Sequence, residues 1–440
     1  MKEPLLRYIF MMKKQKTNLL ENDFCLLVHW RNPFIVSAGS EKYIQKQVDI
    51  LKINRIDSVV IYPVTKKIGI TIFGWGLLIN KQFIGVYDER VIISSLHTLL
   101  KMRKCKGVLV HHLMLSDLES LRRILSFTDK ILFYVHDFYS CCEQQNLLRN
   151  DEIYCGDSKI NEQKCSDCKY YKASFEKKYK TELFFSSFRE VQVIAPSIVA
   201  ANIWKEAYPD YKDNIHVIDH LNVEARRIVN DKSDDNDERL NVAFVGNGIK
   251  SKGWFIWNEA LKELPDDIKN QYNFFHLGRV DKEYDYIKHI PVSVANEGAN
   301  AMVRALQNNN IDVTVLVSLC PETYSYTFFE ALEARCFVIT TEISGNIKEK
   351  VMEFENGMVI KPDSGALKAC FCNVYNLKKL KIESNVYDVH ISDNTSFLMF
   401  LKDIEINDFD CGKIKRGKTA WIAHVLYRLR YKNKLKNVWR

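Results

Sequence analysis

Two glutamates separated by seven residues, Glu322 and Glu330, lie between two short apolar runs of the sequence, DVTVLVSLC and FVITT. Both runs have the composition of strands buried in a parallel sheet. The FFEALEARC segment between them has the mixed apolar and charged pattern of a helix, and Ser325 or Thr327 could cap its start. Because ligands of open α/β sheets bind beyond the carboxyl ends of the strands, we expect both carboxylates near such a site.

The polar loop before this helix suits a sugar joined to a diphosphate. A helix N-terminus offers free N–H groups and a partial positive charge, both of which stabilise a bound phosphate. A carboxylate accepts hydrogen bonds at both oxygens, so each glutamate could hold two adjacent sugar hydroxyls. The pattern therefore indicates a nucleotide-sugar site, and its alternative is an ordinary βαβ unit with two surface glutamates.

A glycine- and lysine-containing loop follows the predicted strand at NVAFV. Gly246 would let the backbone approach a phosphate, and Lys250 and Lys252 could neutralise its charge. Near the N-terminus, the segment FCLLVHW followed by SAGSEKYIQKQVDILK predicts another strand, turn and helix, with Gly39 in the turn. The alternative for both loops is a βα turn that binds no ligand.

Histidines end two predicted strands of the N-terminal half. ILFYVHDFY places His136 at the ligand edge of the sheet, and GVLVHHL places His111 and His112 at the same edge. We favour a functional role for His136, whereas a structural role is the alternative for all three. A single last strand of this half is predicted in NIHVIDHLNVE, from Asn214 to Glu224.

Five cysteines crowd into the polar segment from Cys141 to Cys168. Such a thiol-rich loop in a reducing compartment suits tetrahedral zinc. The alternatives are free buried thiols and a redox pair, and a catalytic zinc is not expected because four thiolates leave no open position. The candidate ligands of a structural zinc are Cys142, Cys155, Cys165 and Cys168.

The chain has 440 residues, which favours two domains. The alternation of strand and helix patterns predicts an α/β fold with a doubly wound parallel sheet in each domain. We expect an N-terminal domain at 1–228 with a cysteine-rich insert at 141–168. A charged linker should follow at 229–240, then a C-terminal domain at 241–402 and a basic tail at 403–440.

The tail carries the excess positive charge, because ten lysines or arginines and no acidic residue lie between Gly412 and Arg440. Its amphipathic pattern suits either an anionic membrane surface or a helix that packs back on the N-terminal domain. Nucleic acid is not expected, since no recognition module accompanies the charge. The apolar run from Ile68 to Ile79 is too short to cross a bilayer, and no signal peptide is evident. We therefore expect a cytoplasmic protein that could bind the inner face of the plasma membrane.

The segment PETYSYTFFEALEARCFVITT resembles the donor signature of retaining glycosyltransferases of the GT-B fold, family four. The resemblance implies two Rossmann-like domains that face each other across a cleft. It implies that Glu322 faces the donor sugar and that Glu330 holds the nucleotide ribose. The residues implied in binding the phosphates between them are Tyr324, Ser325, Tyr326 and Thr327.

Other segments extend the resemblance. NGIKSKG is similar to the family's phosphate loop: Lys252 matches a lysine of that loop, Asn247 stands where an arginine is common, and Lys250 could compensate. GSEKYIQKQVDIL resembles the opening GGxE loop with one glycine, Gly39. His136 occupies the position of a histidine that faces the donor sugar, and some family members carry a similar cysteine-rich insert.

The sequence therefore predicts a retaining glycosyltransferase in which His136, Glu322 and Lys252 are the catalytic residues. It would use a nucleotide-sugar donor, a glycan or lipid-linked acceptor and no catalytic metal, and would act in bacterial surface polysaccharide synthesis. Two alternatives remain. One is a non-catalytic nucleotide-sugar-binding subunit of a membrane-associated complex, and the other is a zinc-dependent hydrolase built on the cysteine-rich insert.

Overall fold

A computed structural model of the protein describes residues 20–36, 38–68, 70–229, 239–293, 297–407 and 419–437. Most of the predicted linker, 230–238, and the residues before the tail helix, 408–418, lie outside the described residues.

The N-terminal sheet has eight strands in the order β10-β9-β6-β5-β1-β2-β3-β4. Six of them run parallel, and β3 and β4 add an antiparallel hairpin at one edge. Asn80 and Lys81 lie between two apolar runs of the sequence, which predicts a hairpin turn. The turn is confirmed, since both residues have positive φ between β3 and β4. The strands are β1 (Phe24–Val28), β2 (Asp57–Ile68), β3 (Ile70–Ile79), β4 (Gln82–Tyr87), β5 (Cys105–Val110), β6 (Lys130–Tyr134), β9 (Glu190–Ala195) and β10 (Ile215–Val217).

Helices and buried apolar side chains cover both faces of this sheet. The cysteine-rich insert follows β6 and contains a short hairpin, β7 (Leu148–Arg149) and β8 (Ile153–Tyr154). The helices of this half are α1 (Gly39–Ile53), α2 (Glu89–Met102), α3 (Leu118–Ile124), α4 (Glu162–Cys165), α5 (Tyr171–Ser186) and α6 (Ile198–Ala207), followed by a 3₁₀-helix (Pro209–Asn214).

The C-terminal sheet has six strands, all parallel, in the order β14-β13-β12-β15-β16-β17. It too has an apolar core on each face. Its strands are β12 (Leu240–Val245), β13 (Tyr272–Leu277), β14 (Lys288–Ile290), β15 (Val313–Leu316), β16 (Phe337–Thr341) and β17 (Gly357–Ile360). Its helices are a 3₁₀-helix (Lys250–Lys252), α7 (Trp254–Lys262), α8 (Asp266–Lys269), α9 (Ala301–Asn308), α10 (Tyr326–Glu333), α11 (Asn346–Phe354), α12 (Ser364–Cys372) and α13 (Val374–Glu383).

The expected single strand between Asn214 and Glu224 is wrong. The segment splits into β10, at the edge of the N-terminal sheet, and β11 (Leu221–Ile228), which pairs antiparallel with β18 (Val386–Asp393). Residues of β11 alternate between half-buried and exposed. That alternation suits a two-stranded ribbon with one covered face, because a central parallel strand would be buried on both faces.

After β18 the chain returns to the N-terminal sheet. Phe397, in a 3₁₀-helix (Ser396–Phe400), is buried in the core that α1 covers. The tail helix α14 (Ala420–Asn437) then packs on β3 and β4 through its buried residues Ala423 and Tyr427. The tail thus packs back on the N-terminal domain, as one alternative predicted. Within the described part of the chain, no helix has both the length and the apolar character needed to span a bilayer.

The loop after β12 lies against the end of β15 at a glycine. Gly253 has φ of +80°, and a Cβ atom there would lie 2.0 Å from the carbonyl oxygen of Val317. The neighbouring backbone is also joined, since the Leu319 N–H donates to the Ser251 carbonyl at 2.9 Å. Only glycine combines this left-handed conformation with so close an approach of two backbone segments.

We expect Gly253→Ala to lower the free energy of unfolding by about 2 kcal/mol or more, because it adds a left-handed alanine and a backbone clash. Gly39→Ala is the control, since a Cβ atom at that helix start meets nothing within 4 Å. Thermal unfolding of both variants measures the difference. Equal melting temperatures for the two variants would contradict the described packing of the loop.

Candidate functional site

A lysine and a glutamate from two loops of the C-terminal domain form a direct ion pair. The Nζ atom of Lys252 lies 2.6 Å from Oε1 of Glu322. The Ser318 hydroxyl donates to the same oxygen at 2.6 Å. Burial lowers the pKa of Lys252, but the charge and hydrogen bond of Glu322 outweigh it, so the net pKa is raised. Lys252 is therefore a fixed cation, and its side chain remains 41% exposed to a ligand.

The backbone of Glu322 is held by the segment that follows β16. Its N–H donates to the Ser344 carbonyl at 3.2 Å, and its carbonyl accepts from the Asn346 N–H at 3.0 Å. Gly345 has φ of +66°, and a Cβ atom there would lie 2.7 Å from the Glu322 nitrogen. Glycine at 345 thus allows the close approach that fixes the position of the glutamate.

Helix α10 begins directly after this glutamate. Ser325 is its N-cap, because the hydroxyl accepts from the Phe328 N–H at 3.2 Å, so Thr327 lies in the first turn and does not cap. Glu330 is the fifth residue of the helix, just after its first turn. The positive end of the helix dipole is therefore at Tyr326 and Thr327, near the Lys252–Glu322 pair.

Four histidines from the N-terminal domain form the facing side, which we call the histidine cluster: His29, His111 and His220 are buried, and His136 is half-buried. Nδ1 of His111 and Nε2 of His136 lie 3.0 Å apart, so one ring donates and the other accepts. Burial lowers the pKa of every member, to about 4 for His29 and about 3 for His220, and neighbouring imidazoles lower it further for His111 and His136. The cluster is therefore neutral near pH 7.

Glu41, in the first turn of α1, holds the edge of this cluster. Its carboxylate lies 3.0 Å from Nε2 of His29 and 2.6 Å from Nε of Arg31. Burial raises the pKa of Glu41, but the hydrogen bonds from His29 and Arg31 outweigh this effect and bring it to about 2. An adjacent pair, His112 and Asp137, is joined at 2.9 Å.

The two domains meet through these residues. The Thr323 hydroxyl donates to the His136 carbonyl at 2.7 Å. The Tyr326 hydroxyl lies 3.2 Å from Nδ1 of His220, and the His220 ring stacks on Tyr43 with centroids 4.2 Å apart. The loop that carries Glu322 is thus bonded directly to the strand end that carries His136.

A cleft of about 1140 Å³ opens between α1, α10 and β18. Glu330 lines it, and burial raises the pKa of that carboxyl against the opposing charge of Lys42. Lys252 and Glu322 do not line this cleft themselves. Thr323, which follows Glu322 in the chain, donates to the His136 carbonyl and so connects the Lys252–Glu322 pair to the histidine cluster.

The other predicted phosphate-binding residues are less closely grouped. Asn247 is exposed, and Lys250 lies 3.7 Å from Glu152 of the cysteine-rich insert. Gly246 ends β12 with φ of +109°. Tyr324 is buried, and its hydroxyl accepts from the Leu221 N–H at 3.3 Å, so it joins the loop to β11.

The sequence prediction omitted several residues of this arrangement. Arg31, His29 and Glu41 follow the first strand or open the first helix, so the rule that placed His136 at a strand end could also have found them. Ser318 lies only four residues before Glu322, in the same loop. His220 has no local signal, since it reaches the site only through the packing of distant segments.

The four predicted zinc ligands line one cavity of about 130 Å³ in the insert. Burial and the neighbouring Cys142 and Cys165 raise the pKa of the Cys155 thiol to about 11. Among the described residues, no three His, Cys, Asp or Glu side chains are grouped closely enough to hold a metal ion. The donor set suits zinc chemically, so a structural zinc here stays a prediction.

No protein-family model matches the sequence, and no curated protein sequence matches it either. Solved structures do share its architecture. Sucrose-phosphate synthase from Thermosynechococcus elongatus matches with a TM-score of 0.50 and 12% identity over 82% of this chain and 92% of that chain. Anabaena Alr3699/HepE in complex with UDP-glucose gives a TM-score of 0.47 and 13% identity over 82% and 92%. The catalytic domain of starch synthase IV from Arabidopsis thaliana gives 0.44 and 12% over 94% and 99%.

These identities are low, so the likeness concerns the fold. It confirms the predicted class: two Rossmann-like α/β domains that face a cleft, the GT-B fold.

The histidine cluster predicts acid sensitivity. Above pH 6.5 these histidines do not make the free energy of unfolding depend on pH, because folded and unfolded chains both keep the rings neutral. As the pH falls from 6.5 towards 4 only the unfolded chain binds the protons, so each histidine should reduce the free energy of unfolding by about 1.4 kcal/mol per pH unit. Melting temperatures at pH 7.5, 6 and 5 test this.

His220→Gln should make the loss of stability with pH less steep than in the wild type. His390→Gln is the matched control, because His390 is exposed. If both variants lose stability with the same pH dependence as the wild type, His220 is not held neutral by the fold.

A structural zinc predicts about one metal ion per chain after purification under reducing conditions. Cys165→Ser should lose the metal and lower the melting temperature, whereas Cys372→Ser, at an exposed cysteine, should keep both. Elemental analysis measures the metal. A metal-free wild type whose melting temperature does not respond to added zinc would rule the zinc out.

Proposed function

We propose that this protein is a retaining glycosyltransferase that transfers a sugar from a nucleotide-sugar to an acceptor hydroxyl. The observation that carries the proposal is the Lys252–Glu322 ion pair. A cation and a carboxylate that can accept hydrogen bonds from sugar hydroxyls lie together there, before the N-terminal end of α10 and on the opposite domain from the neutral histidine cluster. A sugar diphosphate needs a positive charge near its phosphates and neutral polar groups near its sugar, and these residues can supply both.

Charge develops on the diphosphate as the sugar leaves. Lys252 and the dipole of α10 would stabilise that charge, which is usually the largest single contribution to catalysis. Lys250 could add to it from the same loop. A catalytic metal has no part in this mechanism.

Glu322 would orient the donor sugar through its hydroxyls, and Glu330 would hold the ribose. His136, neutral and joined through its carbonyl to the loop that carries Glu322, would contact the sugar without taking a charge. Attack on the face that the leaving group departs from, with the phosphate accepting the proton of the acceptor hydroxyl, would retain the configuration. Closure of the two domains would exclude water and protect the donor from hydrolysis.

The acceptor we propose is a lipid-linked or growing glycan of a bacterial surface polysaccharide. The tail helix supports the proposal that the protein acts at the inner face of the plasma membrane. Trp421, Val425 and Leu429 form an exposed apolar stripe on α14, and Arg428 and Lys432 lie beside it. A stripe of this kind binds anionic bilayer surfaces.

The second candidate function is a nucleotide-sugar-binding subunit without transferase activity. Asn247 favours it, because an exposed amide stands in the phosphate loop where the resembled family often has an arginine. Such a subunit would bind the donor but neither transfer nor hydrolyse the sugar.

Lys252→Met and Glu322→Gln should each reduce kcat/KM for donor turnover by about 10²-fold or more, because each removes a group that acts on developing charge or on the sugar. Glu330→Gln should mainly raise KM for the donor. Donor hydrolysis or transfer, measured against a panel of nucleotide-sugars, tests all three.

A matched control exists in the same domain. Glu263 and Lys368 form a surface pair at 3.2 Å, away from the site, so Glu263→Gln and Lys368→Met should leave turnover unchanged. NMR of the product should show the anomeric configuration of the donor. Inversion would overturn the retaining mechanism, and donor binding without any turnover would favour the non-catalytic subunit.

A further inference from the structure

A second cavity, separate from the donor residues, lies between the tail helix and the N-terminal sheet. Its volume is about 310 Å³, within the range of small-molecule sites. Four segments line it: the loop after β1, the C-terminal part of β2, one face of α14 and Leu115 in the loop after β5. Helix α14 thus forms one side of a pocket on the acceptor half of the molecule.

The pocket combines apolar walls with polar groups that lack partners. Ile35, Val64 and Leu426 supply apolar lining. The Tyr62 and Tyr427 hydroxyls and the Asn32 side-chain nitrogen, all more than nine-tenths buried, make no hydrogen bond of normal geometry. Burial raises the pKa of both tyrosines, and the opposite hydroxyl and Asn32 are close enough to shift it as well. The other residues that line the cavity are Trp30, Arg31, Val36, Pro63, Thr65, Leu115, Ala423, Arg430 and Tyr431.

A buried polar group without a partner is unfavourable, because the hydrogen bonds it loses to water are not replaced. Ligand oxygens that enter the pocket would bond to these groups and remove that cost.

The charged groups of the pocket are both cationic. Arg31 bonds to Glu41 through Nε and lies 4.0 Å above the Trp30 ring, and its side chain is 30% exposed. Arg430 is exposed on α14 beside Tyr431. No carboxylate lines the cavity. Guanidinium groups bind phosphate oxygens in pairs, so the pocket selects an anion.

The pocket borders the cleft. Ile35 and Val36 line both cavities. Lys434, near the end of α14, lines the cleft and donates from Nζ to the Ile35 carbonyl at 3.0 Å. A bend at Tyr431, whose φ and ψ are −112° and 17°, lies between Lys434 and the part of the helix that packs on β3 and β4. A molecule in the pocket would therefore have its other end at the cleft.

We propose that this pocket binds the carrier end of the acceptor, an apolar chain joined to a phosphate or diphosphate. The chain occupies the apolar walls, the phosphate oxygens bond to Arg31, Arg430 and the unpartnered tyrosine hydroxyls, and the attached sugar faces the cleft. The inference rests on the proposed transferase function and names the chemistry of its acceptor. It differs from membrane binding, because the apolar stripe at Trp421 and Leu429 is exposed to solvent and does not line the pocket.

Calorimetric titration of the full chain tests the pocket, with farnesyl diphosphate below its micelle concentration as the probe. Farnesol and inorganic pyrophosphate are the partial probes, and UDP reports on the donor site. Farnesyl diphosphate should bind at least about tenfold tighter than either partial probe, since only it uses both the apolar and the cationic parts of the pocket.

Two variants change the pocket. Leu426→Trp fills it, and Arg430→Gln removes one of its positive charges. Because Arg430 is exposed, the second variant should fold normally. Each should raise the Kd for farnesyl diphosphate by about tenfold or more and leave the Kd for UDP unchanged. Ile53→Trp and Lys52→Gln are the matched controls at the exposed end of α1, where neither residue lines the pocket or the cleft, and they should leave both titrations unchanged.

Binding of UDP without any binding of farnesyl diphosphate would overturn this inference and leave the proposed function intact. Failure of UDP and of every nucleotide-sugar to bind would overturn the proposed function itself. A third result would also overturn the inference. In it, farnesyl diphosphate binding is unchanged in both pocket variants but weaker in Trp421→Ala, and Trp421→Ala no longer binds anionic phosphatidylglycerol vesicles. The apolar chain would then bind to the exposed stripe.

Discussion

The ion pair between Lys252 and Glu322 depends on two glycines more than on its own charges. A partly exposed pair contributes little stability by itself, so the attraction cannot hold two loops together. Gly253 and Gly345 do so, because each allows a backbone contact that any other side chain would block. The charges are therefore placed by the backbone and remain available to a ligand. In the proposed function a phosphate would bind Lys252, and the hydrogen bond from Ser318 would still orient the carboxylate of Glu322.

The two sides of the site have opposite electrostatic character. The C-terminal side presents a fixed cation and the positive end of a helix, which suits an anionic leaving group. The N-terminal side presents histidines that burial keeps neutral, so they can form hydrogen bonds to sugar hydroxyls without competing for the phosphate. The hydrogen bond from Thr323 to the His136 carbonyl joins the two sides directly. It couples the orientation of the loop that carries Glu322 to that of the N-terminal domain.

Several segments cross between the domains and limit how they can move. The hairpin of the cysteine-rich insert places Leu148 in the core of the C-terminal domain, and Glu152 in the same hairpin faces Lys250 of the phosphate loop. The ribbon of β11 and β18 packs on the C-terminal core, and the chain then returns to the N-terminal sheet at Phe397. A change in the insert, such as metal binding, would therefore act on the same loop that positions Lys252.

Local patterns were enough to predict the two doubly wound domains, the hairpin turn at Asn80, the start of α10 at Ser325 and the strand-end position of His136. Each follows from periodicity, turn chemistry or the rule that strand ends form the ligand edge, all of which act over a few residues. Only the tertiary structure decided which partners these residues have. His220 and Tyr427 gain their neighbours from segments a hundred residues or more away, and β11 pairs outside the main sheet with a strand near the end of the chain. Contacts over such distances depend on how whole faces of sheets and helices pack, and no short stretch of sequence specifies that.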